Sequence, residues 1–149
     1  MRAFALLFTI AVLACGGKAV PVGMEAGPEA ALSAFMQAVA DSNLNRMAQL
    51  WGAEKGSAAQ TGQPQDYQRR VAVMYAYLRG GSVRVLGEVE RQGARSVLAT
   101  EFSRDNCVKR VPFTMVRTGQ GGWLLYAVDI TMVGVPGTPC PSEQRRPPG

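Results

Sequence analysis

The apolar residues of this chain keep a helical spacing as far as Leu78 and an alternating one from Ser82 onward, with Gly80-Gly81 at the change. A single switch from a period of 3.6 to a period of 2 separates helices from strands along the chain. Leu32, Phe35, Met36 and Val39 fall at i, i+3, i+4 and i+7, which predicts one apolar face of a helix opening at Pro28 and Glu29. Asp41-Ser42-Asn43 breaks that run, and Asn43 suits the cap of a second helix carrying Leu44, Met47, Ala48 and Trp51. Gly52–Gln65 shows no period and is expected as a long loop. Asp66 then precedes a third helical face of Tyr67, Val71, Met74, Tyr75 and Leu78, ended by Gly80-Gly81.

Four strands are expected after it. Ser82–Arg91 alternates with Val83, Val85 and Val89 on one face; Ala94–Ser103 and Val108–Thr118 follow, the latter with Val111, Phe113 and Met115 inward. Trp123–Val133 is apolar on both faces, which suggests a strand covered on both sides. The turns at Gln92-Gly93, Asp105-Asn106 and Gly119–Gly122 are short, so consecutive strands pair as an antiparallel meander. Helices segregated from an antiparallel sheet define an α+β fold of one domain, in keeping with 149 residues.

The most apolar stretch lies before this domain. Ala3–Ala14 carries no charge and follows Arg2; it is too short to span a bilayer and right for the core of an export signal. It ends in Val12-Leu13-Ala14-Cys15, which resembles the lipobox of bacterial lipoproteins. That resemblance implies a signal peptide over residues 1–14, cut before Cys15, whose thiol and new amino group are acylated. Two or three acyl chains hold a protein stably on a membrane where one is marginal. Plain secretion and a buried N-terminal element with an incidental cysteine are the alternatives. Gly16–Gly27, with little to bury, is expected to be a tether (residues 15–27 with the lipidated cysteine), ahead of a domain at 28–135 and a Pro-rich tail at 136–149.

Three cysteines are an odd number for an exported chain. With Cys15 lipidated, Cys107 and Cys140 remain, either bridged or as two separate buried thiols. A bridge would close a loop worth about 3.8 kcal/mol by chain entropy. The chain has no histidine and no C-x-x-C, so no zinc site and no other cofactor is expected. Its +5 charge comes from scattered Lys and Arg without a basic stripe, and no nucleic-acid partner is expected.

The stretch PEAALSAFMQAVADSNLNRMAQLWG resembles the first helical pair of the nuclear transport factor two-like superfamily (SnoaL-like, or cystatin-like α+β cone). GGWLLYAVDI is similar to that family's last strand. The resemblance covers roughly residues 28–133. It implies N-terminal helices packed on a curved four-stranded sheet enclosing a pocket, a domain that many bacterial lipoproteins carry. Some members are isomerases, dehydratases and cyclases that move protons with a pocket Asp, Tyr or His–Asp pair; the last is excluded here.

Trp51, Tyr75, Glu101, Phe113, Tyr126 and Asp129 are the candidate pocket residues. Asp129, inside the apolar YAVDITMV, is the best catalytic candidate, because a carboxyl in such surroundings would have a raised pKa and act as a base. The bland alternatives are a carboxylate that faces solvent at a strand end or pairs with an arginine, and aromatics that fill the core. Three functions follow. The first is a non-catalytic envelope lipoprotein, anchored in the bilayer through Cys15 with its domain facing periplasm or cell exterior, that binds a partner protein or a small apolar ligand. The second is a small proton-transfer enzyme. The third is a structural or assembly component of the envelope.

Overall fold

A computed structural model describes residues 24–141. The expected leader, the lipidation site at Cys15 and residues 142–149 of the tail lie outside the described residues. The alternating half of the chain forms one antiparallel meander, β3 (Ser82–Gln92), β4 (Arg95–Arg104), β5 (Cys107–Arg117) and β6 (Trp123–Val128), in that spatial order. The helical half forms α1 (Pro28–Ala40), α2 (Leu44–Leu50) and α4 (Tyr67–Leu78), and α1 crosses the sheet, packing against all four strands. The architecture is α+β.

Each main helix starts where its sequence allows. Pro28 opens α1 and Glu29 sits in its positive first turn. The Asn43 side chain accepts from the Arg46 amide at 2.9 Å, capping α2. Asp66 stands at the head of α4, but its carboxylate binds Arg70 at 2.9 Å instead of a backbone amide. Leu32, Phe35 and Val39 of α1 are buried with Met47 and Leu50 of α2, and Val71, Met74 and Leu78 of α4. From the sheet they meet Leu98, Phe102, Val111, Phe113, Met115, Trp123 and Leu125. Full burial of such side chains is worth about 1.5–3 kcal/mol each, so this one cluster dominates the stability.

Four segments depart from expectation. Gly52–Gln65 is not a plain loop: it holds a hairpin of β1 (Gly52–Ala53) and β2 (Gly56–Ser57), then a short α3 (Ala58–Thr61) capped by Ser57. Strand β3 is bulged twice, between Val85 and Gly87 and between Glu88 and Glu90. Each bulge moves the following side chains to the other face, so Val89 is 66% exposed and does not join Val83 and Val85. The last strand stops at Val128; Asp129 caps α5 (Ile130–Val133), which turns away from the sheet. Finally, residues 24–27, expected within the tether, contact the sheet. The Trp123 amide donates to the Glu25 carbonyl at 2.9 Å and Met24 packs over Gly122, so residues 24–27 belong to the folded unit.

Strand β6 is apolar on both faces because both its flank and its surfaces are covered. Glu25 bridges Trp123, and Trp51 bridges Leu125 in parallel. Trp123, Leu124 and Leu125 are all buried. Past β6 the chain is pinned to the sheet. The Cys107 and Cys140 sulfurs lie at disulfide distance with their Cα atoms 5.4 Å apart, inside the range a bridge requires. The Lys109 ammonium donates to the Val133 carbonyl at 3.1 Å and Arg104 to that of Gly134 at 2.9 Å.

Candidate functional site

Trp51 is where the helical pair meets the sheet. It leaves α2 in an extended conformation and runs beside Leu125, so its indole is carried onto β6. The indole N–H donates to the Tyr126 carbonyl at 3.0 Å. The chain then turns through the β1–β2 hairpin, whose tip carries Glu54 and Lys55 and is held by a Gly119 amide donating to the Glu54 carbonyl at 3.0 Å. After α3 the segment Gln63-Pro64 returns toward α4.

These pieces enclose a crevice of about 410 Å³ between the hairpin and β6. Its walls are Trp51, Ala53, Pro64, Tyr126 and Ala127; Lys55, Gln63 and Arg70 supply its polar groups, with the Thr61 hydroxyl committed to the Ser57 carbonyl at 2.9 Å. That size lies within the range of small-molecule sites. Arg95 lies over the Tyr126 ring, its guanidinium carbon 4.3 Å from the centroid. Among the described residues, no carboxylate lines this crevice.

Of the six candidate pocket residues, the structure brings Trp51 and Tyr126 together and separates the rest. Phe113 is fully buried in the core. The Tyr75 hydroxyl is spent on the Ser42 hydroxyl at 2.8 Å, joining α4 to the α1–α2 corner. Glu101 is on the other sheet face and ion-paired with Arg84 of the neighbouring strand. Such a half-exposed pair is a surface feature.

Asp129 corrects the expectation most clearly. It is exposed, and its Oδ1 accepts from the Thr131 hydroxyl at 2.6 Å and the Thr131 amide at 2.9 Å. The Thr131 hydroxyl foremost, then that amide, holds its carboxyl below the usual range rather than above it. A depressed, capping carboxylate is the reverse of a base kept in an apolar pocket.

A polar cluster absent from the candidate set lies on the inner sheet face. The Glu88 carboxylate accepts from Arg91 at 2.6 and 2.9 Å and from the Ser96 hydroxyl at 2.6 Å. The Arg91 hydrogen bonds, with Ser96 behind them, lower the Glu88 pKa to about 2. Arg91 also lies over the Trp123 ring, 5.6 Å from its centroid. Ser96 is fully buried, which ties the cluster to the core. The bulge between Val85 and Gly87 puts Glu88 on that face, which no alternation pattern could have signalled; the second bulge restores the register, so Arg91 falls on the same face as Val83 and Val85.

Among the described residues no group of acidic, Cys or His side chains could hold a metal, and no helix is long and apolar enough to cross a membrane. No protein-family model matches the chain, and no curated protein shows significant similarity to it.

Proposed function

We propose that this chain is a lipid-anchored protein of the bacterial cell envelope whose domain is a non-catalytic binding module of the nuclear transport factor two-like, cone type. The observation that carries the binding role is the Trp51–Tyr126 crevice: concave, walled by aromatic and small apolar side chains, and with no carboxylate along its described lining. The strongest catalytic candidate, Asp129, is engaged as a helix cap, which weighs against the proton-transfer alternative.

The lipid anchor rests on the lipobox-like Val12–Cys15. Between Cys15 and Met24 an extended chain reaches at most about 30 Å. Met24 is seated on the turn between β5 and β6, so that end of the domain would face the bilayer. Metabolic labelling with an alkyne palmitate analogue tests the anchor. The wild type should be tagged and Cys15→Ala untagged; an untagged wild type overturns it. Native mass spectrometry of the gently extracted protein tests the module: a bound small molecule lost from Ala127→Trp, which fills the crevice, is the expected result. A ligand retained equally by that variant places binding elsewhere.

A further inference from the structure

We propose that the crevice selects a small organic anion with an apolar body, and that Lys55 is the residue that reads its charge. This deepens the binding-module reading and rests on it.

The charged groups that line the crevice are both cationic. They are not equivalent. Arg70 is paired with Asp66 at 2.9 Å, which neutralises it locally. Lys55 has no ion-pair partner among the described residues, and it stands at the tip of a hairpin whose preceding carbonyl is fixed by Gly119. The neighbouring carboxylate, Glu54, lines the cleft on the far side of the hairpin tip with Arg117; Lys55 borders that cleft too, but of the two only Lys55 lines the crevice. Arg95, stacked on the Tyr126 ring, adds a third cation beside the wall.

The remaining polar groups narrow the ligand further. The Trp51 N–H is used by the Tyr126 carbonyl, so the indole offers the ligand its apolar surface and no donor. The Thr61 hydroxyl donates to the Ser57 carbonyl at 2.9 Å and accepts from the Gln63 amide. Lys55, the Gln63 side-chain amide, the Tyr126 hydroxyl and Arg70 remain to meet a polar ligand group, and of the two cations Lys55 is the one without an ion pair. A cation next to an amide donor matches a carboxylate, sulfonate or phosphate. The aromatic and alanine walls match a ring or a short alkyl body. A neutral apolar molecule would leave Lys55 unused, and a cation would meet like charge.

The test uses the full chain in nanodiscs, with empty nanodiscs as the blank. Three probes are titrated calorimetrically: 1-naphthaleneacetate, its uncharged amide 1-naphthaleneacetamide, and octanoate. The carboxylate should bind about tenfold more tightly than the amide, the scale of one charge-assisted hydrogen bond at an exposed site. Lys55→Gln should erase that difference and Lys55→Arg should restore it. Octanoate binding comparably to naphthaleneacetate assigns an alkyl acid, and weaker octanoate binding assigns an aryl acid. Equal affinity for acid and amide, with both lost in Ala127→Trp, overturns the anion selectivity while leaving the crevice a binding site. Absence of binding by all three probes overturns the inference together with the small-ligand reading.

Discussion

The indole of Trp51 and the carbonyl of Tyr126, 75 positions apart in the chain, meet in a 3.0 Å hydrogen bond. That contact joins the end of α2 to the flank of β6 and makes one wall of the crevice. Trp51 is 9% exposed, so its partner carbonyl has little access to water. Trp51→Phe keeps an aromatic ring but leaves that oxygen without its donor. The expected loss is about 1–3 kcal/mol, read as a lowered urea midpoint with an unchanged slope. An unaltered midpoint would mean that water replaces the indole at no cost.

The tail is held by the Cys107–Cys140 pair and by the carbonyl contacts of Lys109 and Arg104. Replacing both cysteines by serine should cost up to about 3.8 kcal/mol, if the bridge acts by restricting the unfolded chain. Peptide mapping without reductant should recover the two cysteines as one linked species. Two free thiols would remove the bridge.

Glu88 gives the fold a pH-dependent contribution. Its native pKa, about 2, lies below the ordinary 4.5 because Arg91 and Ser96 hydrogen-bond its ionised form. A depressed carboxylate stabilises the fold above the unfolded pKa, and the contribution is lost as pH falls from about 4.5 toward 2. Glu88→Gln should be less stable than the wild type at neutral pH, and the gap should close across that window. Urea titrations at pH 7, 4 and 2.5 measure it; a gap independent of pH would assign the effect to packing.

The helical and alternating halves were legible because burial imposes its own period on each. Leu32, Phe35 and Val39, and then Val111, Phe113 and Met115, point inward as their spacing requires. The hairpin inside Gly52–Gln65 was not, because two-residue strands have no period to detect; they exist through the Trp51–Leu125 bridge and the Ser57 cap. Trp51 and Tyr126 were recognisable as candidates, but their meeting place was not. The candidates were grouped as one pocket, and these two meet beside β6 because Trp51 continues the sheet. Glu88 was invisible for a different reason: the bulge between Val85 and Gly87 resets the faces of β3, and Glu88 would otherwise fall outside. Asp129 misled because alternation was carried past Val128, where the strand has already ended.

Asp129 should behave as a cap and not as a base. Asparagine is as good a cap as aspartate, so Asp129→Asn should leave the stability at neutral pH nearly unchanged, whereas Asp129→Ala should lower it. Thermal unfolding of the three proteins separates the cases. An asparagine variant as impaired as the alanine one would show that the charge is needed.

Gly52 offers the sharpest test that the β1–β2 hairpin builds the crevice. A Cβ on this residue would lie 2.3 Å from the Gly56 carbonyl oxygen and 2.7 Å from the Ser57 Cα. Both are backbone atoms, so the hairpin itself would have to open, unlike a clash relieved by a rotating side chain. Opening it moves Ala53 and Lys55, which are walls of the crevice, and loosens the Glu54–Gly119 contact at the tip. Overpacking of this kind costs about 1–3 kcal/mol, and Gly52→Ala should show that loss together with weakened binding of 1-naphthaleneacetate. Gly62→Ala is the control. Gly62 sits at a φ of 65° with nothing within 4 Å of an added Cβ, so its substitution strains only the left-handed backbone and should cost about 1–2 kcal/mol without touching the ligand. Equal effects of the two substitutions on binding would show that the hairpin is not what shapes the site.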